Sequence, residues 1–203
     1  MLNKPSGVVT AVSDSKDKTV MDCFPKELRE GLFPVGRLDK DTEGLLLITD
    51  DGDFTFRMLR PEFGVTKRYF FRAFGEITEE KIKNLEEGGT LYGNGEAARP
   101  AFLEEISLST VEQDLEHVPE KIRAHCAKNP KGKTFSAVIT VTEGKRHEVK
   151  LLLKSIGCRI FYLQRLSMGK FVLDPVLGPG EFREFTPEET GFAEEYRKIF
   201  IKL

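Results

Sequence analysis

The run Gly44-Leu45-Leu46-Leu47-Ile48-Thr49 constrains this chain most, because it is apolar, short and bounded on both sides by charge. Asp50-Asp51-Gly52-Asp53 follows it, and the polar stretch Arg37–Glu43 precedes it. A run this short between turn residues reads as a buried strand. Such a strand needs a core around it. With 203 residues and 39% hydrophobic content, the chain can supply one globular domain, or one domain with two lobes sharing a core.

The rest of the chain alternates elements without a regular βαβ rhythm. Lys4-Pro5-Ser6-Gly7 reads as a turn and Val8–Val12 as a short strand. Asp22–Arg29 reads as a short helix, and so does Phe54–Leu59, stopped by Pro61. Lys67–Phe74 alternates like a strand. Thr78 caps a helix to Glu87, ended by Gly88-Gly89, and Ala97–Leu108 is extended. Residues 111–133 are polar, hold Pro119, Asn129-Pro130 and Gly132, and read as an excursion between two strands with a short helix at 121–127. Phe135–Val141 resumes strand alternation. Val149, Leu152, Leu153 and Ile156 recur at helical spacing, closed by Gly157, and put Arg146, Lys150 and Lys154 on another face. Arg159–Leu166 and Phe171–Leu173 read as strands, and Thr186-Pro187-Glu188-Glu189 opens a C-terminal helix. The expected class is α+β.

Charge is uneven. The net value is −2, yet residues 121–170 hold twelve Lys and Arg against Glu143 and Glu148, so this segment carries +10 and the remainder −12. Such asymmetry fits a basic face on an acidic protein, the footprint of a nucleic-acid partner, or lysines scattered over the surface. Three widely spaced cysteines make no disulfide framework. No apolar run approaches a membrane span, and MLNKPSGVVTAV lacks a signal-peptide core, so a cytoplasmic location is expected.

The chemistry concentrates in Gly36-Arg37-Leu38-Asp39-Lys40-Asp41-Thr42-Glu43-Gly44. Asp39 stands in a polar loop directly before a buried strand. A carboxylate there is partly desolvated and can serve as an ionised nucleophile or base. The competing reading is an ordinary loop ion pair between Arg37 and Asp39. Tyr69, among Phe70, Phe71 and Phe74, equally reads as a core aromatic, and Lys150 with Lys154 as a solvated helix face.

GRLDKDTEGLLLITDDG resembles the signature of the RsuA-type pseudouridine synthases, whose G-R-L-D aspartate is the nucleophile. Leu2-Asn3-Lys4-Pro5-Ser6-Gly7, Thr66-Lys67-Arg68-Tyr69, Glu143-Gly144-Lys145-Arg146-His147-Glu148-Val149-Lys150 and Leu163–Thr186 resemble further motifs of that family in the right order. Together they span nearly the whole chain apart from 111–133. Two departures stand out: Glu148 replaces the usual Gln, and Lys150 stands where many relatives carry Arg. Lysine there is familiar in the branch acting on small-subunit rRNA. The small N-terminal S4 domain usual in the family is expected to be absent from this chain.

The resemblance implies an α+β fold with a mixed, largely antiparallel sheet flanked by helices, and a reaction that needs neither metal nor other cofactor. It implies Asp39 as nucleophile, Lys150 as its companion cation and Tyr69 as the platform for the target base. Arg37, Thr42, Arg146, Lys154 and Arg165 are the expected substrate-binding residues, the last three as phosphate contacts. The expected partner is rRNA, most simply 16S rRNA or a small-subunit assembly intermediate, with 23S rRNA as the alternative, and the expected state is a monomer. A non-catalytic RNA-binding module would tolerate loss of Asp39, yet the motif is intact. A glycoside hydrolase using Asp39 with Asp41 or Glu43 needs two carboxylates across a sugar, and residues two apart near a strand tend to face apart.

Overall fold

A computed structural model describes residues 1–88 and 95–198. In chain order the strands are β1 (Leu2–Lys4), β2 (Phe33–Pro34), β3 (Glu43–Leu46), β4 (Ile48–Thr49), β5 (Lys67–Phe74), β6 (Phe102–Thr110), β7 (Lys133–Val141), β8 (Arg159–Met168) and β9 (Phe171–Val172). The helices are α1 (Gly52–Leu59), α2 (Glu79–Glu86), α3 (Val111–Asp114), α4 (Glu120–Cys126), α5 (Glu148–Ser155) and α6 (Pro187–Lys198). The class is α+β, with mixed and mostly antiparallel pairing. The chain divides into two compact units, Met1–Lys67 with Gln164–Leu203, and Arg68–Leu163. Among the described residues no helix is long and apolar enough to cross a membrane.

In the first unit, β3 lies between β1, antiparallel with Asn3 opposite Leu45, and the second half of β8, parallel with Gly44 opposite Arg165. Gly44 is required there. Its φ is +96°, and a Cβ would stand 2.3 Å from the Arg165 carbonyl oxygen. The expected single strand 44–49 is instead two. Past Leu46 the chain leaves β8 and β1, and Ile48–Thr49 pairs with β2. Leu47 makes the transition and keeps its carbonyl satisfied by the Val35 N–H at 2.8 Å. Leu45, Leu47, Phe54, Met58 and Phe171 fill the core of this unit.

The expected strand Val8–Val12 does not form. Val9 makes only an isolated bridge to Thr19, and the neighbouring residues are bends. The expected helix 22–29 becomes two 3-10 turns, Val20–Cys23 and Lys26–Leu28, because Pro25 has no N–H to continue a helix. The C-terminal helix begins as expected. Thr186 Oγ1 accepts from the Glu189 N–H at 3.2 Å, and Glu189 Oε2 accepts from the Thr186 N–H at 2.8 Å.

In the second unit the order is first half of β8, β5, β7, β6. β5 alternates as expected, burying Tyr69, Phe71 and Ala73. Phe71 meets Phe135 of β7 edge to face at 5.6 Å. Thr78 caps α2 through the Lys81 N–H, while Gly89, expected to help end that helix, lies outside the described residues. Residues 111–133 do leave one strand and return to the next, but they hold α3, a 3-10 turn and α4 in place of an open loop. On α5, Val149, Leu152, Leu153 and Ile156 are all buried, as their spacing requires.

Candidate active site

Asp39 sits half-buried in the loop 36–42 that leads into β3. The loop has no ladder of its own, so side chains supply its hydrogen bonds. Thr10 Oγ1 donates to the Leu38 carbonyl at 2.8 Å and accepts from the Leu38 N–H at 3.2 Å. The Gly7 N–H donates to the Lys40 carbonyl at 2.7 Å, and the Thr42 N–H closes a turn onto the Asp39 carbonyl at 3.1 Å.

Lys4 does the rest. It is fully buried, and its Nζ donates to the carbonyls of Thr42 at 2.8 Å, Pro5 at 3.0 Å and Lys40 at 3.3 Å. Burial pulls its pKa from 10.5 down to about 8, against the opposing fields of Asp41, Glu43, Cys23 and Asp39. At neutral pH it therefore remains an ammonium among these acids. Burial likewise raises the Cys23 thiol, helped by Asp22 and opposed by Lys4. Neither Lys4 nor Thr10 stood out in the sequence as a site residue. Lys4 sits in the quoted L-N-K-P-S-G stretch, which could have pointed to it; no local signal marks Thr10.

Arg37 is exposed, and among the described residues it makes no hydrogen bond or ion pair. The Arg37–Asp39 loop ion pair is thereby overturned, and Arg37 keeps its donors for another partner. Thr42 is 2% exposed and its Oγ1 has no hydrogen-bond partner. Arg165, expected as a phosphate contact, is 3% exposed, and its Nε donates to the Leu45 carbonyl at 2.7 Å. The parallel pairing of β3 with β8 stops at Gly44, so the Arg165 side chain serves the next carbonyl in place of a strand neighbour. Arg165 Nη2 is also buried without a partner. Buried polar atoms of this kind are uncommon in native folds. Here two of them lie on residues flanking β3 directly after Asp39.

The other expected residues lie in the second unit. Tyr69 is 8% exposed, on the buried face of β5. Lys150 is half-buried on α5, while Arg146 and Lys154 are exposed. The loop before α5 is held by its own acids. Glu148 accepts from the Gly144 N–H at 2.7 Å, and Glu143 accepts from the Arg99 N–H at 3.0 Å and pairs with Lys145 at 3.1 Å. The Glu148 contact needs only a side-chain oxygen acceptor, which a Gln at this position would also offer. His147 takes a left-handed conformation (φ 57°), unusual for a residue with a Cβ, at the start of α5.

The fold matches a solved structure described as a pseudouridylate synthase, with TM-score 0.75 and 28% identity over 96% of this chain and 71% of that one. A human pseudouridylate synthase domain shares the fold alone, at TM-score 0.55 and 12% identity. Residues 1–155 match the RNA pseudouridylate synthase family, and the chain belongs to that family. A Bacillus subtilis (strain 168) protein named as the uncharacterized RNA pseudouridine synthase YtzG is 41% identical over 96% of this chain and 72% of its own length. The ribosomal small subunit pseudouridine synthase A of Yersinia pestis is 31% identical over 93% of this chain and 69% of its own length. The enzyme is an RNA pseudouridine synthase of the RsuA type.

Proposed function

We propose that this enzyme converts a uridine of small-subunit rRNA to pseudouridine, with Asp39 as nucleophile. The observation that carries the proposal is the fixed Asp39 loop. Lys4 and Thr10 hold its backbone from within. In the reaction the N1–C1′ bond breaks, the detached base turns, a C5–C1′ bond forms, the C5 hydrogen leaves to solvent as a proton, and N1 takes up a proton in exchange. Asp39 supplies the nucleophile, Lys150 the cation that favours its ionised form, and Tyr69 the surface on which the base is held once it leaves its stack. Arg37, Arg146 and Lys154 take backbone phosphates; Thr42 and Arg165 offer buried donors to the substrate. The small-subunit target is supported by Lys150 and by the name of the Yersinia pestis relative. We take the working form to be a cytoplasmic monomer.

The decisive variant is Asp39→Asn, which keeps the side-chain shape and removes the charge. Tritium release from RNA labelled at uracil C5 should fall by at least about 10³-fold. RNA binding and melting temperature should stay near wild type. Substantial release by the variant ends the role of Asp39. Pseudouridine mapping of 16S and 23S rRNA, with and without the gene, decides the target. A site lost from 23S rRNA alone would move the enzyme to the large subunit.

A further inference from the structure

The excursion between β6 and β7 has a built root. Thr110 and Gln113 form a capping box on α3, the Val111 N–H donates to the Gly132 carbonyl at 2.9 Å, and the Glu112 N–H donates to that of Pro130 at 3.1 Å. Asp114, 3% exposed, receives Arg72 Nη1 at 2.7 Å and Thr134 Oγ1 at 2.5 Å. Val111 and Val118 are buried beside it. On α4, Ile122 and Cys126 are partly covered, and the Arg123 guanidinium donates to the carbonyls of Glu116 and Val118. Helical turns continue to Asn129, whose N–H donates to the Cys126 carbonyl at 2.9 Å. Lys121, His125 and Lys128 therefore recur at i, i+4 and i+7 on one outer face, all exposed, with exposed Lys131 just beyond.

These lysines differ from several other cations of their unit, although Arg146, Lys154 and Arg159 are likewise exposed without an ion pair among the described residues. Lys133 pairs with Glu76, Arg68 with Glu104, Arg72 with Asp114 and Lys145 with Glu96. Among the described residues Lys121, Lys128 and Lys131 have no ion pair, and residues 121–133 contain no acid at all. An ordinary solvated face mixes both signs. A ridge of one sign, pinned at its root, is complementary to a polyanion and loses little freedom on meeting it.

We propose that the ridge Lys121–Lys128–Lys131 grips the phosphate backbone of the RNA substrate away from the target nucleotide. The proposal rests on the enzyme acting on a long RNA. Ammonium groups read charge, not sequence, so the ridge adds affinity without choosing the uridine.

The test compares wild type with K121E/K128E/K131E and with the milder K121Q/K128Q/K131Q, using protein-free 16S rRNA transcript as the probe. Arg123 and Lys133 stay untouched, since both are paired within the fold. At 0.15 M salt the Glu variant should bind at least about tenfold more weakly, and the slope of log Kd against log salt should shrink by about 2–3. The Gln variant should lose less. Tritium release at saturating RNA should be unchanged, with KM raised. Wild-type affinity and salt slope in both variants overturn the ridge. So does normal binding to naked rRNA with failure only on small-subunit particles, which would assign the ridge to a protein partner. If wild type itself neither binds the transcript nor releases tritium from it, the small-subunit rRNA reading falls as well. That result is distinct from variants that merely match an active wild type.

Discussion

Residues 36–42 are gripped along their length, whereas 111–133 is gripped at its root. In the first, Thr10 holds both backbone groups of Leu38, and Lys4 holds the carbonyls of Lys40 and Thr42 from a buried position. In the second, Asp114 and the α3 cap fix the base, and the stretch from α4 to Lys131 shows solvent Lys121, Lys128 and Lys131 without an ion pair among the described residues. With Asp39 as the proposed nucleophile and the lysine ridge as the proposed phosphate grip, the difference follows from what each would meet. A nucleophile has to stand within a fraction of an ångström of its target atom, so its backbone is held by buried groups. A phosphate-gripping surface needs only charge in roughly the right place, so anchoring the base suffices.

The comparison breaks most visibly at Lys4. Lys4→Met leaves the Thr42 and Pro5 carbonyls without this donor and removes a buried cation from among Asp41, Glu43 and Asp39. It should cost about 2–4 kcal/mol in a urea melt and lower tritium release beyond the loss of folded protein. Full turnover per folded molecule would mean that the loop holds itself.

Asp114→Asn probes the other anchor. It keeps the shape but leaves the half-buried Arg72 without its counter-charge, and should cost about 1–3 kcal/mol. Amide exchange should quicken through residues 115–130 while release at saturating RNA holds. A loss of turnover as large as that of Lys4→Met would erase the distinction between the two regions.

The smallest effect is a pH dependence. Lys4 has a folded pKa of about 8 against 10.5 when unfolded, so the unfolded chain holds more protons between these values. Stability from this group then rises as pH climbs from 8 towards 10.5, and its burial penalty is constant below 8. The gap between wild type and Lys4→Met, in melts without RNA, should widen from pH 8 to 10. A gap indifferent to pH would show that Lys4 is not a desolvated ammonium.

Local pattern was enough for much of this protein. Alternation marked β5, helical spacing marked α5 and the Thr186–Glu189 box opened α6, because each of these is a property of neighbours along the chain; Asp39 was singled out only by the resemblance of the GRLD stretch to a family signature. What the tertiary structure decided depends on residues far apart. Val8–Val12 has strand character but makes only a single bridge, to Thr19. Gly44–Thr49 looks like one strand but splits, because its two ends pair with different partners. Arg165 reads only as a basic residue in a strand until β8 brings it beside Gly44, where its Nε donates to the Leu45 carbonyl. Lys4 reads as a turn lysine, and only folding carries its ammonium to the carbonyls of residues 36 and 38 positions later in the chain. Burial then makes that ammonium a structural group, because a charge taken out of water must be met by every nearby acceptor.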